Sequence, residues 1–255
     1  MATVNEKMTA IADAIRDKTG GTEALTLDGM AENISEVYEA GKKAEYDEFW
    51  DNVGTRSDYR FAGTSWTKYT FKPTKDFKVG RSSFYYHNWQ GSPYNLAVQL
   101  EELGVTMTII STGVQEAFRY AWFTRIPKLD FTPCSGMFDR VFYGDVPLVT
   151  IDKIILPPEG KITSFNAPFG NCSGLENITF EGVIDRSISF SASPLTVASM
   201  KNIISCLKNY AGTDNEGVYS VTFTSACKTA LEAEGNTSPN GNTWTEYITN
   251  LGWIC

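Results

Sequence analysis

The single histidine of this 255-residue chain, His87, stands in Phe84-Tyr-Tyr-His-Asn-Trp89, so any imidazole chemistry must run through that position. Neither a G-x-S-x-G elbow nor a Cys-Gly-Ser-Cys context accompanies it, which argues against a hydrolytic triad. Five cysteines (Cys134, Cys172, Cys206, Cys227, Cys255) are widely spaced and include no C-x-x-C pair. With one histidine they reproduce no metal-ligand spacing. Reduced thiols packed as small hydrophobes are expected, with no metal site. No P-loop and no G-x-G-x-x-G occurs, so no cofactor is expected either.

Carboxylates are harder to set aside, because glycoside hydrolysis needs only two at a suitable separation. Asp130, Asp139, Asp145, Asp152 and Glu159 are the candidates, and turn or solvent-facing positions are their first reading. A binding reading is better supported. Tyr85, Tyr86, His87, Trp89 and Tyr94 stand beside Asn88, Gln90 and Asn95, and aromatic faces with amides are the chemistry of sugar recognition. These five are the candidate ligand contacts, although alternation in a half-buried strand would also place aromatics there. The expectation is a binder, not an enzyme.

These groups must be held by a folded scaffold. A hydrophobic share of 42%, a charged share of 20% and 13% aromatic residues describe a folded chain. A formal charge of -8 supplies no positive field for phosphate backbones, so nucleic acid is not an expected partner. The N-terminus has no signal-peptide core and no run of about 18 apolar residues occurs, so neither export by that route nor membrane insertion is expected.

Charge divides the chain. Residues 1–58 hold 13 acidic and 6 basic residues, net -7, whereas residues 59–255 hold 17 and 16, net -1. In the first segment Val4, Met8, Ile11 and Ile15 follow steps of four and three, one apolar stripe on a helix that Thr19-Gly-Gly-Thr22 ends. A second amphipathic stretch carries Met30, Ile34 and Val37. Helices this narrow bury little apolar area alone and need a partner. Self-association through these seven residues is the first reading, and docking on the rest of the chain is the other.

From residue 60 onwards, short segments rich in Phe, Tyr, Thr and Val alternate with turn residues and read as strands. Shifting the sequence by 20 superposes Ala117-Phe118 on Met137-Phe138, Ala121-Trp122 on Val141-Phe142, Ile126-Pro127 on Val146-Pro147, and Leu129 on Val149. Each unit reads as a short helical turn followed by a strand, and units must stack to cover their apolar faces. The strand pattern returns at Leu175, Ile178, Phe180 and at Val218, Val221, Phe223. Beyond Pro194, the apolar faces Leu195 to Leu207, Ala226 to Ala233 and Trp244 to Trp253 predict a helical C-terminal cap.

Phe169-Gly-Asn-Cys172-Ser-Gly-Leu175-Glu-Asn-Ile178-Thr-Phe180 resembles the repeat of the BspA-like leucine-rich-repeat family, in which a phenylalanine and a small residue precede the strand. The spacing between successive strands, 20 (129 to 149) and then 29 (149 to 178), together with a third unit lacking the helical face, predicts a short irregular solenoid. Ile11-Ala-Asp-Ala-Ile15-Arg-Asp-Lys-Thr-Gly20, Leu25-Thr-Leu-Asp-Gly-Met30 and Val37-Tyr-Glu-Ala-Gly-Lys-Lys-Ala-Glu-Tyr-Asp-Glu-Phe-Trp50 resemble the leader of tail proteins from bacteriophages of Gram-positive bacteria. This second resemblance implies a virion protein made in the host cytoplasm: a tail fibre, receptor-binding or baseplate component. Its implied partners are copies of itself, with a trimer preferred, other tail proteins, and a host cell-surface polysaccharide. The expected fold is α+β: a helical oligomerisation segment over 1–58, then a body over 59–255 with a strand-rich centre, leucine-rich-repeat-like units and a helical cap. The alternatives are a BspA-like bacterial surface adhesin, which would call for an export signal, and a tail-associated cell-wall glycosidase.

Overall fold

Phenylalanine sets the frame of the body. The computed structural model describes residues 4–19, 77–79, 84, 107–109, 114–121, 123–126 and 128–255. Within them six buried rings form an unbroken pile: Phe84, Phe118, Phe142, Phe169, Phe190 and Phe223. Successive centroids lie 5.1, 5.4, 5.2, 4.8 and 6.2 Å apart, with interplanar angles no greater than 20°. Stacked contacts of this kind contribute about 0.5–1.5 kcal/mol each beyond area burial. No turn can cover its own ring, so each unit depends on its neighbours.

The backbone repeats with the rings. Two residues before Phe118, Phe142 and Phe169 the chain enters the left-handed region at Glu116, Arg140 and Ala167, with φ of 61°, 53° and 48°. Two residues after them it does so again at Tyr120, Gly144 and Asn171, with φ of 55°, 74° and 60°. These turns therefore share one conformation, and it is not helical. Their amides bond from unit to unit: the N–H groups of Phe118 and Phe142 donate to the carbonyls of Val141 and Pro168, both at 2.8 Å. Three residues past the rings of Phe118, Phe142, Phe169 and Phe190 lies a fully buried slot, occupied in turn by Ala121, Asp145, Cys172 and Ser193. The Ser193 hydroxyl donates to the Cys172 carbonyl at 3.0 Å, which ties two slots together.

Each of the first three units then runs into a strand. The strands β1 (Phe77–Val79), β2 (Met107–Ile109), β3 (Arg125–Ile126), β4 (Leu129–Asp130), β6 (Thr150–Ile155) and β8 (Asn177–Glu181) make one sheet. Every pairing in it is parallel, with β3 and β4 forming two halves of one rung against β6. Inward Ile178 and Phe180 alternate with exposed Asn177, Thr179 and Glu181 in β8, the period of a half-buried strand. On the outer face Arg125 grips Asp152 with two bonds of 2.8 and 3.1 Å, and Lys153 meets Glu181 at 2.8 Å. Elsewhere β5 (Gly136–Met137) pairs with β7 (Ile162–Ser164), and β9 (Ile188–Phe190) with β10 (Val221–Phe223), again in parallel. Gly174 marks a close approach of neighbouring units: a Cβ there would lie 2.6 Å from the Val146 carbonyl oxygen.

The repeat shift of 20 is corrected to 24 in the turns (118 to 142) and 25 in the rungs (129 to 154). Two units carry a second phenylalanine four residues ahead of the stacked one, Phe138 before Phe142 and Phe165 before Phe169. Matching Phe118 with Phe138 slips the register by four residues, one period of the apolar pattern. Phe138 instead packs on Phe131 and Phe165, at 4.3 and 5.0 Å. Rung spacing is then 25 (129 to 154) and 26 (154 to 180), more even than the sequence spacing of 20 and 29. The third unit keeps its buried face, in Phe165, Phe169 and Cys172. Val146 and Val149, expected inside, are 47% and 39% exposed, and Val218, expected to open the last strand, is 56% exposed ahead of β10.

Three helices enter the chain after Phe190, with β10 between the first two. The helices α2 (Val197–Ser205), α3 (Ser225–Glu232) and α4 (Trp244–Asn250) begin at Thr196, Thr224 and Thr243, whose hydroxyls accept from the first-turn amides. All three lie in the stretches where a helical cap was expected. At the other end α1 (Val4–Thr19) stops where the glycine pair begins. The chain groups into two compact units, Met1–Phe49 and Trp50–Cys255, a division that falls before the charge break at residue 58. The architecture is mixed α+β.

Candidate functional site

The third and fourth units, centred on Phe169 and Phe190, meet differently on two flanks. On the strand flank, no further described strand pairs with β8, and α2 lies along its edge instead. Ser199 Oγ accepts from the Ile178 N–H at 3.0 Å. Asn202 Oδ1 accepts from the Phe180 N–H at 2.6 Å, and its Nδ2 donates to the Phe180 carbonyl at 3.1 Å. Helix side chains thereby satisfy the backbone groups that an exposed edge would leave open.

On the turn flank the unit-to-unit bonds stop. Phe138 and Arg140 donate their N–H groups to the carbonyls of Ser164 and Asn166 in the next unit, at 2.8 and 3.0 Å. Phe165 and Ala167 hold the same places one unit later, yet their N–H groups donate to no acceptor among the described residues. A groove of about 350 Å³ opens here. Residues 164–167 form one wall, 186–189 the other, and Tyr219 and Ser220 complete the lining.

The groove is polar and carries a positive charge. Arg186 lies with its guanidinium carbon 5.3 Å from the Tyr219 ring centroid, and its Nη1 donates to the Asp185 carbonyl at 2.8 Å. No described carboxylate pairs with it. Ser187 Oγ accepts from the Ser220 N–H at 3.0 Å, which fixes that hydroxyl at the rim. The nearby Asp139 carboxylate is already engaged, accepting from Ser164 Oγ at 2.6 Å and from the Asn166 N–H at 2.8 Å. Alternation explains the lining: Ile188 and Phe190 point into the stack, while Ser187 and Ser189 are left outside. That period was visible in Arg186-Ser-Ile-Ser-Phe190, but sequence reasoning passed over it in favour of aromatic clusters.

No protein-family model, curated protein or solved structure matches the chain. The site's chemistry is therefore read from its own residues. Tyr85, Tyr86, His87, Trp89 and Tyr94, the predicted ligand contacts, lie outside the described residues, as do Met30, Ile34 and Val37 of the predicted oligomer interface. Val4, Met8, Ile11 and Ile15 fall in α1 as expected. The side chains of Val4 and Met8 are outside the described residues, Ile11 is 44% exposed, and Ile15 is buried within the single chain beside Ala12.

Each candidate carboxylate has a structural setting. Asp130 accepts from the Thr132 N–H and hydroxyl at 2.9 and 2.7 Å, Asp152 is held by Arg125, Glu159 pairs with Lys208 at 2.6 Å, and Asp145 is fully buried. All five thiols are free of disulfides, with Cys134, Cys172 and Cys227 buried. Burial pushes the Cys134 thiol up to about 11. Burial, reinforced by the Asp145 carboxylate, pushes Cys172 higher still. Both stay protonated and unreactive near neutral pH. Among the described residues no cluster of potential metal ligands occurs, and no helix is long and apolar enough to cross a membrane.

Proposed function

We propose that the protein is a structural and adhesive component of a bacteriophage tail, a fibre, receptor-binding or baseplate protein, in which the acidic leader joins copies and the stacked body displays a surface. The leader strings between Ile11 and Trp50 support the tail assignment. The observation that favours display over catalysis is the state of the carboxylates. Asp130, Asp139, Asp152 and Glu159 are each held in a hydrogen bond or ion pair that accounts for them structurally, and Asp145 is buried beside Cys172. Joining copies multiplies weak surface contacts through effective concentration, so each body needs only modest affinity for a host polysaccharide.

Deleting residues 1–58 tests the reading. Light scattering is expected to show an oligomer, with a trimer preferred, for the full chain and a folded monomer for the truncation, and virion incorporation is expected to be lost. An oligomer that survives the deletion, or a full chain that stays monomeric, overturns the role given to the leader. Release of reducing sugar from purified host cell walls would favour the glycosidase instead.

A further inference from the structure

We infer that the groove between residues 164–167 and 186–189 binds a sugar carrying one anionic group. The inference deepens the attachment reading and rests on it only for where that sugar is found. Three donors belong to residues that line the opening. Arg186 presents a guanidinium that no described carboxylate neutralises, steadied against the Tyr219 ring. Guanidinium forks match carboxylate and phosphate oxygens with paired bonds. On the opposite wall, the N–H groups of Phe165 and Ala167 sit where the preceding unit makes unit-to-unit bonds, and they lack acceptors. Main-chain donors left open next to a fixed positive charge select an acceptor-rich, negatively charged group.

The rest of the lining sets the remainder of the ligand. The hydroxyls of Ser187, Ser189 and Ser220 and the Asn166 amide can donate and accept, which suits a polyol rather than an apolar tail. The ring of Tyr219 is already covered by Arg186, so recognition works through hydrogen bonds and charge rather than through aromatic stacking on the sugar. With one cation in the lining and the Asp139 carboxylate hydrogen-bonded to Ser164 and Asn166 of the same wall, at most a single negative charge fits.

The test is an amide-detected NMR titration of the full chain with glucuronate, glucose and inorganic phosphate. Glucuronate is expected to shift the Phe165 and Ala167 amide resonances and the Arg186 side chain, with glucose and phosphate each binding at least about tenfold more weakly. Arg186→Met, which keeps the stem over Tyr219, is expected to weaken glucuronate binding roughly 10- to 100-fold without changing the melting temperature. Arg186→Lys should recover part of the loss. Equal binding of glucose would overturn the anionic part of the proposal, and equal binding of phosphate the sugar part. No shift at Phe165 and Ala167 with any probe, or unchanged affinity in Arg186→Met, would overturn it entirely. None of these readouts depends on oligomerisation, so the site can fail while the tail assignment stands, and the reverse.

Discussion

At one and the same junction, between the Phe169 and Phe190 units, the molecule solves the problem of a missing rung on one flank and leaves it open on the other. Beside β8 the helix α2 supplies Ser199 and Asn202 to the backbone of Ile178 and Phe180. Beside β7 no described residue takes the amides of Phe165 and Ala167, and the groove lies there. The rings do not register the difference, since Phe169 and Phe190 stack at 4.8 Å, the closest pair in the pile. Packing and hydrogen bonding are thus separable in this body: the pile holds the units together, and the ladder can be interrupted without opening the core. On the proposed reading, the interrupted ladder is what gives this stack its binding surface.

The sharpest way to break this comparison is to remove the pile. Phe142 stacks on both Phe118 and Phe169, whereas Phe223 has one stacked neighbour, at 6.2 Å. Phe142→Ala should cost about 3–5 kcal/mol in denaturant unfolding, and Phe223→Ala less. Equal losses would mean that the rings act singly. A smaller effect is expected on the closed flank. Asn202→Ala removes both bonds to Phe180 and should cost about 1–3 kcal/mol by the same measurement. A neutral result would mean that α2 rests on β8 by apolar contact alone.

Per pH unit, the smallest effect concerns Cys134. The Cys134 pKa is raised by burial to about 11 from an ordinary value of 9.0. The folded thiol therefore keeps its proton where the unfolded one loses it, so its contribution is fully present below pH 9.0 and is lost as pH rises toward about 11. Stability should fall by up to about 1 kcal/mol per pH unit across that window, and Cys134→Ala should flatten the slope.

Much of this architecture was legible in the residues, and the failures have physical causes. The cap was readable because the apolar faces around Met200, Ile203, Ile204 and Ile248 keep helical spacing. The existence of a repeat was readable from recurrent phenylalanines. Its register was not, because Phe138 and Phe142 offer two equivalent partners to Phe118 and only three-dimensional stacking distinguishes them. The docking of α2 on the β8 edge was invisible for a different reason: a helix completing a sheet edge through Asn202 and Ser199 leaves no periodic trace in either element. The groove escaped notice because its donors at Phe165 and Ala167 are main-chain groups, which every residue possesses, and only the absence of a neighbour makes them available.

Hydrogen exchange at four amides of the same junction tests the central claim most directly. Ile178 and Phe180, closed by α2, should exchange slowly, near the rate set by global unfolding, while Phe165 and Ala167 should exchange orders of magnitude faster in the free protein. Equal protection at all four would show that both flanks are closed and that the groove offers no open donors.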